Sequence, residues 1–149
     1  MLAVSLPDRL MRGLRQRACR AFPKEYFCLV LGRRYGESLE ILDLWHPPMP
    51  ELLENAEPGS VTQKKEWVTQ AMEAAARKRA IVIGNIHTHT FRKGEREIEP
   101  IQSIGDLQGW TDLDLIAGVM NVVERRNGRK HCSSLVFYGP TEPVAVSLK

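Results

Sequence analysis

Residues 81 to 110 read IVIGNIHTHTFRKGEREIEPIQSIGDLQGW, and the fold expected for the whole chain is built around this stretch. An apolar run over residues 80 to 86, rich in β-branched side chains, is apolar on both faces and predicts a central strand. The run ends in His87-Thr88-His89, and a charged segment follows. Ser103 is a good N-cap, so a short helix is predicted over residues 103 to 109.

The segments on either side of this strand predict one mixed α/β domain spanning residues 1–149, with a mixed central sheet flanked by helices. Gly36 and Asn127-Gly128 indicate two hairpin turns. The proline-rich stretch 46–58 predicts irregular structure, and Ser60-x-x-Gln63 resembles a capping box. The predicted elements are helices over 6–22 and 60–78, and strands over 26–31, 39–45, 115–123, 132–138 and 144–148.

Composition excludes several classes of protein. A hydrophobic content of 43% with 26% charged residues is typical of a globular chain. The net charge of +3 gives no argument for nucleic acid as a partner, which we do not expect. No segment has the length and hydropathy of a signal peptide or a membrane span. The cysteines Cys19, Cys28 and Cys132 form no C-x-x-C pair, so we expect a cytoplasmic protein in which they pack as small apolar residues.

The His-Thr-His sequence predicts a metal site at the strand end. Residues two apart in a strand point to the same face, so the imidazoles of His87 and His89 can converge on one ion. Asp106, in the first turn of the next predicted helix, can supply an oxygen ligand. Two imidazoles, one carboxylate and an open position are a catalytic zinc set. Ser103, three residues before Asp106, can donate a hydrogen bond to an oxyanion.

These residues resemble the JAMM motif of the MPN (Jab/Mov34) metalloprotease family, which has H-x-H, a spacer and S-x-x-D. The family also carries a glutamate on its first strand, and the stretch from Pro23 to Gly32 is similar to that opening and contains Glu25. The resemblance covers nearly the whole chain. It implies the MPN (cytidine-deaminase-like) fold, zinc held by His87, His89 and Asp106, and catalysis by Glu25 as general base with Ser103 supporting the intermediate.

The same resemblance implies a substrate and partners. It implies an isopeptidase or peptidase that cleaves at the C-terminal tail of a ubiquitin-like protein through a metal-activated water. Activating and conjugating enzymes are possible associates. The chain departs from the family in having Thr90 where proline is usual and Phe27-Cys28 where Cys-Gly is frequent. Its charged 90–102 segment is also longer than usual, and we expect this segment to shape substrate access.

Three alternatives stay open at this point. The same chemistry can act on an adduct of a sulfur-carrier protein or on a small peptide. A non-catalytic MPN scaffold is another possibility, although such scaffolds typically lose one or more of the five residues. The third is an MPN-like domain linked to DNA repair, for which the arginine-rich first helix would be the contact surface.

Overall fold

The structure is a computed structural model that describes residues 3–57, 60–61, 64–100, 115–139 and 145–148. The helices are α1 Asp8–Ala21, α2 Met49–Asn55 and α3 Lys65–Arg77. The strands are β1 Ala3–Leu6, β2 Phe27–Tyr35, β3 Ser38–Trp45, β4 Ala56–Glu57, β5 Ser60–Val61, β6 Ile81–Phe91, β7 Ile116–Glu124, β8 Lys130–Cys132, β9 Val136–Tyr138 and β10 Ala145–Leu148. The predicted mixed α/β class is confirmed.

Within these residues, eight strands form one mixed sheet in the order β10-β1-β3-β2-β6-β7-β8, with β9 pairing with β7. The neighbours of β6 are β2, which is antiparallel to it, and β7, which is parallel to it. The predicted central position of this strand is therefore confirmed. A separate two-stranded ladder joins β4 to β5.

Helices α1 and α3 cover opposite faces of the sheet. The Phe27 ring stacks on Trp67 of α3, with centroids 6.1 Å apart. Cys28, the next residue of β2, lies in the electrostatic field of Arg17 on α1. Successive strand residues point to opposite faces, so the face that carries Phe27 is the α3 face. Buried apolar side chains from both helices and the central strands pack into a single cluster.

The first helix is shorter than predicted, because its predicted start belongs to a strand. Residues 3–6, which include the predicted first residue of the helix, form β1, which pairs in parallel with β3 and β10, and Pro7 precedes the helix. These pairings join residues far apart in the chain, so local sequence patterns do not reveal them. The buried residues of α1 are Leu10, Met11, Leu14, Ala18 and Ala21.

The boundaries of α2 and α3 also differ from the prediction. The predicted capping box does not begin α3, since the helix starts at Lys65 and Ser60 lies in β5. In α3, Trp67, Ala71 and Ala75 are buried, whereas Met72 is 55% exposed. The stretch predicted to be irregular contains α2, which has Pro50 in its first turn, where a missing N–H costs no helical hydrogen bond.

Two predicted strands are divided differently in the structure. Strand β6 continues through both histidines to Phe91, because β7 pairs with it as far as that residue. The predicted strand over 132–138 is split into β8 and β9. The turn before β8 is confirmed: Gly128 has a φ of 81°, and its N–H donates to the Arg125 carbonyl. In the part of the chain described, no helix is long and apolar enough to span a membrane.

Candidate metal centre

Strand β6 brings the two predicted imidazole ligands together. His87 and His89 lie two residues apart in the strand, and their ring centroids are 5.1 Å apart with planes inclined by 59°. His87 is registered with Phe27, so both histidines are on the α3 face of the sheet. His87 is buried and His89 is half-buried. The pair therefore combines a desolvated ring with one that retains access to solvent.

The separation of the rings fits one zinc ion. Zinc–nitrogen bonds of about 2.0–2.1 Å at a tetrahedral angle place the centroids of two imidazoles roughly 5 Å apart. The observed 5.1 Å agrees with that value. Neutral imidazole is also a preferred zinc donor. The donor set contributed by β6 thus suits the metal that the sequence predicts.

Glu25 is held alongside the histidines by contacts on both sides of it in the chain. The Thr90 hydroxyl donates to the Pro23 carbonyl at 2.9 Å. On the other side, the Thr88 N–H donates to the Tyr26 carbonyl at 3.0 Å. Glu25 therefore runs past the Thr88–Thr90 part of β6, and its side chain is 5% exposed. Thr90, where the family that the sequence resembles usually has proline, forms one of these two contacts.

Thr88 ties the two predicted site segments together through its side chain as well. Thr88 lies between the two histidines in the chain, so its side chain is on the opposite face of the sheet from their rings. It is fully buried there, and its Oγ1 accepts the Tyr26 N–H at 2.8 Å. Replacing it with valine keeps the shape but leaves a buried N–H without an acceptor. We expect Thr88→Val to lower the free energy of unfolding by about 1–3 kcal/mol, measured by urea denaturation.

Thr69→Val is the matched control for this measurement. Thr69 is exposed on α3, and its hydroxyl makes only a 3.4 Å contact with the Lys65 carbonyl. We expect this variant to stay within about 0.5 kcal/mol of the parent protein. Equal losses in the two valine variants would show that the Thr88 hydroxyl has no special part in joining the strands.

Ser103 and Asp106, the other two predicted site residues, lie outside the described residues. Among residues 3–57, 60–61, 64–100, 115–139 and 145–148, no group of three His, Cys, Asp or Glu side chains is arranged to hold a metal ion. The described part of the chain thus contributes two imidazoles and a nearby carboxylate. The third ligand and the hydroxyl group stay predictions.

Sequence reasoning missed Asn121, a buried polar residue beside the site. It is registered with His89 on the neighbouring parallel strand, so both side chains are on the same face. Its Nδ2 donates to the Ile98 carbonyl at 2.6 Å. The Tyr138 hydroxyl donates to the Pro100 carbonyl at 2.8 Å. These two contacts anchor the charged segment that follows β6 over β7. In the sequence, the one indication that Asn121 has a special role is that it is a lone asparagine in an apolar strand.

A second missed feature is the contact between Tyr26 and His46 on the opposite face. The Tyr26 hydroxyl and His46 Nδ1 are 2.6 Å apart. Burial, and then Cys28, raise the pKa of Tyr26 far above its ordinary value, so the phenol is the donor and the imidazole is neutral. Burial, assisted by the charge of Arg17, lowers the pKa of His46 to about 4, and Asp43 opposes this shift.

The lowered pKa of His46 predicts a pH dependence of stability. The unfolded chain binds a proton at this histidine below about pH 6.5, whereas the folded protein does so only near pH 4. The stabilisation is therefore complete above pH 6.5 and is lost progressively towards pH 4. We expect the parent protein to lose more thermal stability between pH 7 and 4.5 than His46→Asn does. His131→Asn, at an exposed histidine, should behave like the parent protein.

The cysteines pack as the sequence predicts. Cys28 is fully buried, and burial raises the pKa of its thiol. Cys19 and Cys132 meet between α1 and β8 with their sulfur atoms 3.8 Å apart. Burial, followed by the neighbouring Cys19, raises the pKa of Cys132 to about 12. Neither Cys28 nor Cys132 has the thiolate character that a cysteine nucleophile needs at neutral pH.

Comparison with known proteins gives a fold. No family model and no curated protein sequence matches the chain. A Desulfitobacterium hafniense protein solved in solution is similar over 98% of this chain and 92% of its own, at TM-score 0.64 and 16% identity. A Salinibacter ruber protein is similar at TM-score 0.59 and 16% identity, covering 99% of this chain and 92% of its own. A JAB1/MPN domain protein from Archaeoglobus fulgidus is similar at TM-score 0.51 and 15% identity, covering 99% and 98%. The chain therefore has a mixed α/β fold similar to that of a JAB1/MPN domain.

Proposed function

We propose that the chain is a zinc-dependent isopeptidase or peptidase of the JAMM type with the MPN (cytidine-deaminase-like) fold, acting in the cytoplasm. The observation that carries the proposal is the pair of imidazoles on β6, 5.1 Å apart, with the buried carboxylate of Glu25 on the adjoining segment. His87, His89 and Asp106 would hold the metal. A zinc ion in this site would supply Lewis acidity, which lowers the pKa of water and polarises a carbonyl group.

The protein's own side chains then provide the proton transfers. Glu25 accepts a proton from the attacking water and returns it to the leaving amine, which is a lysine side chain or a peptide N-terminus. The Ser103 hydroxyl donates a hydrogen bond to the oxyanion as the carbonyl becomes tetrahedral. Burial of Glu25 keeps competing solvent away from the transferred proton.

The substrate class that we propose is the one implied by the resemblance to the JAMM motif. An extended tail can lie along the edge of a strand and present one peptide bond at a time to the metal. We propose the flexible C-terminal tail of a ubiquitin-like or sulfur-carrier protein as that substrate, with activating or conjugating enzymes as associated partners. The charged 92–100 segment, anchored over β7, would form one wall of the approach to the site.

Metal content and cleavage together test the proposal. We expect the purified protein to bind one zinc ion and to cleave a ubiquitin-like protein fused at its C-terminus to a reporter. His87→Ala should lose the metal and the activity, because two of three ligands cannot hold zinc in a water-competing site. His131→Ala is the matched control, since this histidine is exposed on β8.

A chelator and added zinc complete the test. Activity should disappear on chelation and return when zinc is restored. Zinc binding without cleavage of any fusion would favour the non-catalytic scaffold, and cleavage of short peptides alone would favour the peptide hydrolase. Cleavage that is insensitive to both the chelator and His87→Ala would overturn the metal mechanism.

A further inference from the structure

The side-chain amide of Asn121 has a defined orientation. Its Nδ2 lies 2.6 Å from the Ile98 carbonyl oxygen and 3.4 Å from Glu97 Oε2. A carbonyl and a carboxylate only accept hydrogen bonds, so the nitrogen must face them and the amide cannot be reversed. The position of the other amide atom, Oδ1, is thereby determined too.

The Oδ1 atom of Asn121 is a buried acceptor. It accepts no hydrogen bond in the part of the chain that the structure describes, and the whole residue is 0% exposed. Leaving such an acceptor desolvated costs free energy, so a donor is expected nearby. Because the atom has no contact with solvent, a substrate arriving from outside cannot reach it. A donor on a neighbouring side chain would satisfy this acceptor.

His89 is the donor that the strand pairing indicates. It is registered with Asn121 on adjacent parallel strands about 4.8 Å apart, and the two side chains share a face. A histidine that binds a metal through one ring nitrogen carries a proton on the other, which it almost always donates to an acceptor. We infer that Asn121 Oδ1 accepts the ring N–H of His89 when the other ring nitrogen is engaged by the metal.

This inference rests on the proposed metal centre and assigns a function to Asn121, a residue beside it. Asn121 is a positioning residue: it sets the orientation of His89 through Oδ1 while it holds the 92–100 segment through Nδ2. The same amide group therefore takes part in metal binding, through Oδ1, and in ordering the segment, through Nδ2. Tyr138 anchors the segment independently, through the Pro100 carbonyl.

Zinc titration against a competing chelator, combined with limited trypsin digestion, separates these two roles. Trypsin can cut after the exposed Arg92, Lys93 and Arg96, and mass spectrometry identifies the bonds that are cut. We expect Asn121→Ala to bind zinc about 10–100-fold more weakly and to be cut faster in this segment. Tyr138→Phe should be cut faster while binding zinc as the parent protein does.

Asn121→Asp distinguishes the role of the acceptor oxygen of the amide from that of its donor nitrogen. A carboxylate can accept from His89 but cannot donate to Ile98, so this variant should keep its zinc affinity and lose the protection of the segment. Urea denaturation of each variant verifies that it is folded. Parent-like zinc affinity in folded Asn121→Ala would overturn the inference and leave the proposed function standing. Absence of zinc binding in the parent protein would instead remove the proposed function, and the inference with it.

Discussion

Glu25→Gln is expected to retain zinc and lose cleavage. Glutamine has nearly the same shape as glutamate but cannot accept and return a proton at neutral pH. Removing a general base costs about 10²- to 10⁴-fold in rate. We therefore expect kcat for a ubiquitin-like fusion to fall by about that factor, while zinc content and the midpoint of urea denaturation stay close to those of the parent protein.

The control for this substitution is Glu66→Gln. Glu66 is exposed in the first turn of α3, so the same chemical change at this position should leave both zinc binding and cleavage unaffected. Parent-like turnover in the Glu25→Gln protein would exclude Glu25 as the base.

The residues that sequence placed correctly are those whose neighbours are close in the chain. His87 and His89 share a strand, and a period of two is sufficient to put their rings on one face. The hairpin of β2 and β3 and the turn before β8 were likewise marked by glycine and asparagine at the turn positions. Local geometry determines these features, so a local pattern predicts them.

The features that were missed depend on contacts between distant segments. Strand β1 has four residues, and it exists through its parallel pairing with β3 and β10. His46 follows β3 and begins the proline-rich stretch that was predicted to be irregular, yet it lies against Tyr26. Asn121 acquires its contacts from the segment after β6. The partners in each of these contacts are about 20 residues or more apart in the chain. Short sequence patterns therefore do not reveal the contacts, and the assembled sheet does.

The placement of Glu25 lies between these two cases. Its match to the family opening suggested a residue on the first strand, and the structure puts it just before β2, in the chain segment bonded to Thr88 and Thr90. Thr90 was identified as a departure from the family, and its hydroxyl supplies one of these bonds. A substitution that weakened the resemblance therefore contributes to the geometry of the candidate site.

Gly84→Ala is expected to cause a large loss of stability. Gly84 lies where β6 meets the start of β7, registered with Ile116. A Cβ at this position would overlap the Ile116 carbonyl oxygen and come within 2.9 Å of the Ile116 carbonyl carbon. These are backbone atoms of a paired strand, so they can move only if the β6–β7 ladder opens. We expect a loss of at least about 3 kcal/mol.

Gly13→Ala is the opposite case and the control. Gly13 lies within α1, and an added Cβ would meet nothing within 4 Å. Alanine in a helix interior is more favourable than glycine by about 0.5–1 kcal/mol, so this variant should be stabilised. At about 2–4 °C per kcal/mol for a chain of this size, Gly84→Ala should lower Tm by roughly 6–12 °C and Gly13→Ala should raise it slightly.

The two glycine variants also separate stability from metal binding. Gly84 is in the same strand as His87, so opening the ladder there should weaken zinc binding along with the fold, whereas Gly13→Ala should leave zinc affinity unchanged. Added zinc should recover part of the lost Tm, since a ligand that binds only the folded state stabilises it. An unchanged Tm in Gly84→Ala would mean that β6 and β7 are not packed at Gly84 as described, and the position of the imidazole pair beside Asn121 would then be in question as well.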